Sequence, residues 1–268
     1  MNTDFLKKLK EHYAEHGFGR NSFTSNAQNA QNAENACVRC KDLKVINIHK
    51  GADTYIGSKY GQPYNIVVVC LDPGKEPKNF EERRAQIEGQ NINKLNLHMK
   101  GTLATLKALL RPIGIMDQDL FSHFAMVNAC KCFPADGTMK KAPKQFFVNC
   151  REHIWGELEI LEPDVIITQG SEAIDAIANF MKKVEGEKET FFKPLIEDLQ
   201  VELPEYFTHD YLDHLVDKYF RLLEIKDKQL AALCPPHPSD QGGRWHLFAA
   251  SYLGMATEIL RRTLSIGR

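Results

Sequence analysis

No stretch of the sequence approaches the roughly 18 consecutive apolar residues of a membrane-spanning helix, and no signal-peptide pattern opens the chain. A cytoplasmic protein without a membrane partner is therefore expected. There is no repeat of solenoid period, and the composition is that of an ordinary globule: 268 residues, 43% hydrophobic, 26% charged and two Trp. A disulfide framework is not expected either, because seven cysteines is an odd number and a cytosolic chain keeps its thiols reduced. Metal or cluster ligation, or plain burial, are the uses left for them. A large net charge is also missing, which at first argues against a nucleic-acid partner. The distribution is uneven, however. Eleven acidic and four basic residues lie between Glu185 and Glu224, so a chain of net charge −1 carries −7 there and +6 elsewhere. A local basic face is compatible with that asymmetry.

Along the chain, residues 2–16 pattern as a short amphipathic helix, followed by the Asn/Ala/Gln-rich stretch 26–36 that runs into Cys37-x-x-Cys40. Ile66–Cys70, Phe124–Asn128 and 164–170 read as buried strands, each an apolar run ending at turn residues. Helices are expected near 100–111, at 144–161, after Gly170 and from Trp245 to the end, with a last short strand in "LAALC". The alternation predicts a three-layer α/β/α sandwich around a short, mainly parallel four-stranded sheet. The acidic segment at about 185–230 reads as a helical insertion. The division expected is an N-terminal helix and polar linker, 1–36, and one α/β domain, 37–268.

In open α/β sheets ligands bind beyond the carboxyl ends of the strands. Those ends carry Asp72-Pro73-Gly74, Asn128-Ala129-Cys130, Gln169-Gly170 and His237-Pro238-Ser239. Asp-Pro-Gly alone is an ordinary turn. An acid, an amide and an imidazole at successive strand ends favour a site instead. The cysteines form a second constellation. Cys37 and Cys40 have the bite of two thiolates on one metal, and Cys132 and Cys150 complete a four-thiolate set for zinc or a [4Fe–4S] cluster. Cys70 and Cys234 read as small buried residues. Cys130 does too, although spacing alone does not separate it from Cys132 as a ligand.

The CxxC at 37–40, "VVVCLDPG", "VNACKCFP", the cysteine at 150, "VIITQG" and "PPHPS" occur in the order seen in the uracil-DNA glycosylase superfamily. The chain most resembles a divergent member of its iron–sulfur branch, family 4, over roughly 37–180 and 230–262. The resemblance implies a [4Fe–4S] cluster on Cys37, Cys40, Cys132 and Cys150, with Cys132 preferred because that ligand follows a Lys in the family pattern. It implies a monofunctional DNA glycosylase that excises a flipped-out uracil or a damaged or modified pyrimidine from DNA, as in repair, and leaves an abasic site; a monomer is expected. Asp72 stands where non-cluster members have a water-activating Asp or Asn; the family 4 acid falls one residue earlier, at Leu71. His237 would donate to the base oxygen where negative charge develops. Asn128 would read the base edge, Ser239 would take a phosphate, and Arg244 could fill the gap left by the flipped base. Lys140, Lys141, Lys144 and Arg151 flank the cysteines and could meet phosphates, or form a solvated face.

Gly74 replaces the tyrosine that closes the pocket of the uracil-specific branch, and no counterpart of the family 4 "PFVG" segment is found. A pyrimidine with a bulky 5-substituent, as in foreign DNA, fits such an open pocket. No lysine stands out as a Schiff-base nucleophile, so strand cleavage is not expected. The alternative is a catalytically inactive iron–sulfur or zinc protein of the same fold that binds nucleic acid.

Overall fold

Runs of apolar residues without polar alternation suit strands that are covered on both faces, and three such runs form the middle of the structure. The computed structural model describes residues 3–15, 48–50, 53–71, 79–90, 97–134, 144–169, 173, 220–225, 228–235, 252–254, 256–257 and 260. In chain order the elements are helix α1 (Thr3–Glu15), strands β1 (Ile48–Lys50), β2 (Tyr55–Ile56) and β3 (Ile66–Cys70), and helices α2 (Phe80–Glu88) and α3 (Leu97–Leu110). Strands β4 (Phe124–Asn128) and β5 (Cys132–Pro134), helix α4 (Lys144–Leu161), and strands β6 (Val165–Thr168), β7 (Phe220–Ile225) and β8 (Lys228–Leu233) follow. Among the described residues, no helix is long and apolar enough to cross a membrane.

The main sheet has the order β2-β4-β3-β6-β8-β7. Its four middle strands are parallel, as the sequence predicts. Two antiparallel edge strands extend it to six: β2 against β4, and β7 against β8 from Phe220↔Leu233 to Ile225↔Lys228. The helical reading of 185–230 is therefore corrected at its end, where Phe220–Ile225 and the first residues of β8 are strand. Pairing with β8, which begins only three positions after Ile225, satisfies the backbone groups of this segment, and this antiparallel hairpin outweighs local composition. Residues 185–219 lie outside the described residues. A separate two-stranded ribbon pairs β1 with β5, setting Lys50 opposite Cys132.

Side chains alternate across the strands with period two. Val67, Val69, Val127 and Ile166 face one cluster, while Val68, Met126 and Ile167 face the other. Helices α1 and α4 cover the first face. On α4, Phe146, Cys150, Ile154, Leu158 and Leu161 form a buried stripe at helical spacing. On α1, Leu9 and Tyr13 are buried, while the Asp4–Lys8 pair at 2.9 Å lies on the wet side. Leu103, Leu106 and Leu110 of α3, with Tyr252, Ala256 and Leu260 near the end of the chain, cover the second face. Burying each such aliphatic side chain contributes about 1.5–3 kcal/mol.

Local signals fix the element ends. Asn79 caps α2 reciprocally with Glu82, each backbone N–H donating to the other side chain at 2.9 Å. After α4, the Asp164 carboxylate accepts from the Asn65 backbone N–H at 2.6 Å, aligning the starts of β3 and β6.

Candidate functional site

Helix α3, between β3 and β4 in the chain, lies on the second face, and Ala173, beyond β6, is buried in the cluster of the first face; α2 contributes Phe80 to the first cluster and Ile87 to the second. The carboxyl ends of the strands are the usual ligand position in open parallel sheets. Cys70 and Leu71 stand at that end of β3, and Thr168 and Gln169 at that end of β6. The Gln169 backbone N–H donates to the Val69 carbonyl at 2.8 Å, and its side-chain amide donates to the Thr102 hydroxyl of α3.

Of the residues predicted to act, Asn128 ends β4 opposite Cys70 and is 1% exposed. The pairing continues past the strands: the Ala129 N–H donates to the Cys70 carbonyl at 2.7 Å and the Cys130 N–H to the Leu71 carbonyl at 2.9 Å. Asn128 is thus held beside the strand end that Asp72 directly follows in sequence. Asp72, Gly74, His237, Ser239, Arg244, Lys140, Lys141, Cys37 and Cys40 lie outside the described residues. Lys144 is exposed at the start of α4, and Arg151, next to Cys150, is partly buried.

Cys132 and Cys150 are each 1% exposed, and Cys150 lies against the Cys130–Lys131 segment. The Lys131 backbone N–H donates to Cys150 Sγ at 3.2 Å, and the Cys130 thiol donates to the Cys132 carbonyl at 2.9 Å. The adjoining Cys130 side chain, helped by the Lys131 backbone and ammonium, holds the Cys150 thiol below its ordinary pKa. Burial pushes Cys130 well up. A buried thiol already biased toward thiolate suits the ligand chemistry of zinc or an iron–sulfur cluster. Among the described residues no group of three or more His, Cys, Asp and Glu side chains could hold a metal ion. A four-thiolate centre therefore depends on Cys37 and Cys40 as well.

Two features were missed in the sequence. The first is a buried ion pair between Lys131 Nζ and Glu157 Oε2, with side chains 5% and 0% exposed. Glu157 Oε1 accepts from the Tyr13 hydroxyl and, at 2.7 Å, from the Thr54 hydroxyl. Burial, then the nearby Glu157 charge, raises the Tyr13 phenol well above its ordinary pKa, so it stays a neutral donor. Its signal was a carboxylate interrupting the apolar stripe of α4. The second is Arg83 of α2. Its Nη2 lies 3.6 Å from Met126 Sδ, and its Nε is buried with no hydrogen-bond partner among the described residues. Desolvation lowers the pKa of this guanidinium. Nothing local in "EERRAQ" distinguishes Arg83 from its neighbours.

A family model described as the uracil DNA glycosylase superfamily matches residues 64–260, nearly three quarters of the chain. The search of curated proteins finds no match. The match begins at Tyr64, so α1, β1 and β2 precede it, and it spans every parallel strand of the sheet.

Proposed function

The chain belongs to the uracil DNA glycosylase superfamily, and from that premise we propose that it is a monofunctional DNA glycosylase acting on a flipped-out uracil or modified pyrimidine. The observation that carries this reading is the register of β3 and β4, which holds the Asn128 amide beside the strand end leading to Asp72. Hydrolysis breaks the bond between C1′ and the base nitrogen. The water oxygen joins C1′, a proton passes to the departing base, and an abasic site remains. Asp72 would orient that water and stabilise the electron-poor sugar, while His237 would donate to the base oxygen as it gains charge. Asn128 offers both donor and acceptor to the base edge. Gly74 would leave space at the 5-position, consistent with a bulky 5-substituent in foreign DNA. Ser239, Lys140 and Lys144 would contact phosphates, and Arg244 would occupy the vacated stack.

Cys37, Cys40, Cys132 and Cys150 would hold a [4Fe–4S] cluster, with zinc as the alternative. Support comes from the buried thiols of Cys132 and Cys150 and from β1, which starts eight residues after Cys40 and pairs with the strand of Cys132. When bound, the group would cross-link these segments, and no chemical step runs through it.

The test is base release, read by mass spectrometry, from DNAs containing uracil, thymine and 5-substituted cytosines up to glycosylated forms. Release of one base, lost in Asp72→Asn, supports the reading and names the substrate. DNA binding without release from any substrate overturns it in favour of an inactive binding protein of this fold.

A further inference from the structure

The cysteine centre is braced by residues that precede the matched family region. Tyr13 on α1 and Thr54, just before β2, both donate to Glu157 Oε1 on α4. The other oxygen of Glu157 holds the Lys131 ammonium. Lys131 stands between Cys130 and Cys132, and its backbone N–H donates to Cys150 Sγ. Three separate stretches of chain thus converge through one carboxylate on the backbone that presents two of the cysteines.

The close approach of α1 has its own sequence determinant. A Cβ on Gly156 would collide with the ring of His12, so any other residue there would force that ring to move. The His12 and His153 rings pack edge-on at 6.2 Å, and Tyr13 stacks on Phe80 at 6.0 Å. Asp53, itself buried, adds its charge near Tyr13. A buried ion pair is a poor device for stability alone, but it selects one arrangement over near alternatives. Partners behind metal ligands act in that way, because they fix the orientation of the groups that do the ligating.

We propose that α1 and the segment before β2 form a latch on the cysteine centre, in which Tyr13 and Thr54, through Glu157 and Lys131, are positioning residues for Cys132 and Cys150. The inference rests on the reading of these cysteines as ligands of a cluster or zinc ion. It makes the N-terminal helix a working part of the metal site.

The experiment compares full-length wild type with Glu157→Gln, Tyr13→Phe, Thr54→Val and Thr54→Ser. Leu106→Ala, on the opposite face, is the control for general destabilisation. Two readouts are taken for each: the rate at which bound iron or zinc is lost to a chelator, followed by metal analysis and visible absorption, and the rate at which Cys150 is alkylated in metal-free protein. Glu157→Gln should weaken metal retention by about 10- to 100-fold, with Tyr13→Phe and Thr54→Val in the same direction and less. Thr54→Ser, which keeps the hydroxyl, should restore retention, and Leu106→Ala should leave it unchanged. If Glu157→Gln does not fold, Tyr13→Phe and Thr54→Val decide, because both keep the ion pair. Wild-type retention and alkylation rates in both of these variants would overturn the latch. So would equal losses in Leu106→Ala. If wild type binds neither iron nor zinc, the metal reading fails by itself. Cys150 alkylation then decides the latch, with acceleration in the variants supporting it and unchanged rates overturning it.

Discussion

On the face covered by α3, Leu103, Leu106 and Leu110 meet Phe124, Met126 and Ile167, and the charges Lys107, Arg111 and Asp117 stay at the rim. On the face covered by α1 and α4, Asp53, Lys131 and Glu157 are buried inside the packing. Dispersion and hydrophobic burial are non-directional, so the first arrangement tolerates small shifts of its side chains. The second is directional. Every group in it must meet a particular partner, and it surrounds the cysteines, where small shifts matter for ligation.

The largest expected effect breaks the polar face. Glu157→Gln leaves the Lys131 ammonium buried without its counter-ion and should cost about 3–5 kcal/mol in urea unfolding. The double variant Lys131→Met/Glu157→Leu removes both charges and should recover most of that loss. If the double variant is as unstable as the single one, the charges themselves are needed for folding, and the contrast between the faces lies in stability after all. Next comes the apolar face. Leu106, 0% exposed on α3, should cost about 2–5 kcal/mol when cut to Ala, with the spread set by how far the cavity collapses. Metal content should not change. Loss of metal from this variant would mean that the two faces are not separable.

How these two faces were read from the sequence differs in the same way. The sheet between them announces itself, because Ile66–Cys70, Phe124–Asn128 and Val165–Thr168 are continuous apolar runs that suit strands covered on both faces. Their exits, and so the edge holding Asn128, follow from the same runs. The short strands β1, β2 and β5, of three, two and three residues, carry no period long enough to recognise. Strand β7 follows an acidic stretch whose composition does not mark it as strand. Lys131 and Glu157 were harder still. Each looks like a solvated residue alone, and only the fold brings Tyr13, Thr54 and Glu157 together across 41 and 103 positions. The nearest local signal was Glu157 standing where the stripe of α4 calls for an apolar residue.

A smaller effect sharpens the comparison within the polar face. Thr54→Val keeps shape and removes one donor to a charged acceptor, which should cost about 1.5–3 kcal/mol in the same unfolding assay. Thr54→Ser should cost less than Thr54→Val. Equal losses would assign the role of Thr54 to packing of its methyl group, and the polar face would then be partly apolar in its energetics.

The smallest effect belongs to the rim of the apolar face. Arg111 donates to both oxygens of Asp117 at 2.7 and 2.6 Å, and Lys107 lies 2.8 Å from the same carboxylate. The Arg111 hydrogen bonds, then that of Lys107, hold the Asp117 carboxyl below its ordinary range. The unfolded chain binds the proton first, so stability from this triad is present above the unfolded value of about 3.9 and is lost as pH falls from there through the lower folded value. These groups are solvated, which keeps the contribution slight and open to screening by salt. Asp117→Asn should therefore lower the melting temperature slightly at neutral pH and low salt, by less and less as pH falls below the unfolded value toward the lower folded one, and not at all at high salt. A salt-insensitive loss would place the Asp117 cluster with the buried ion pair of the other face rather than with the screened rim charges.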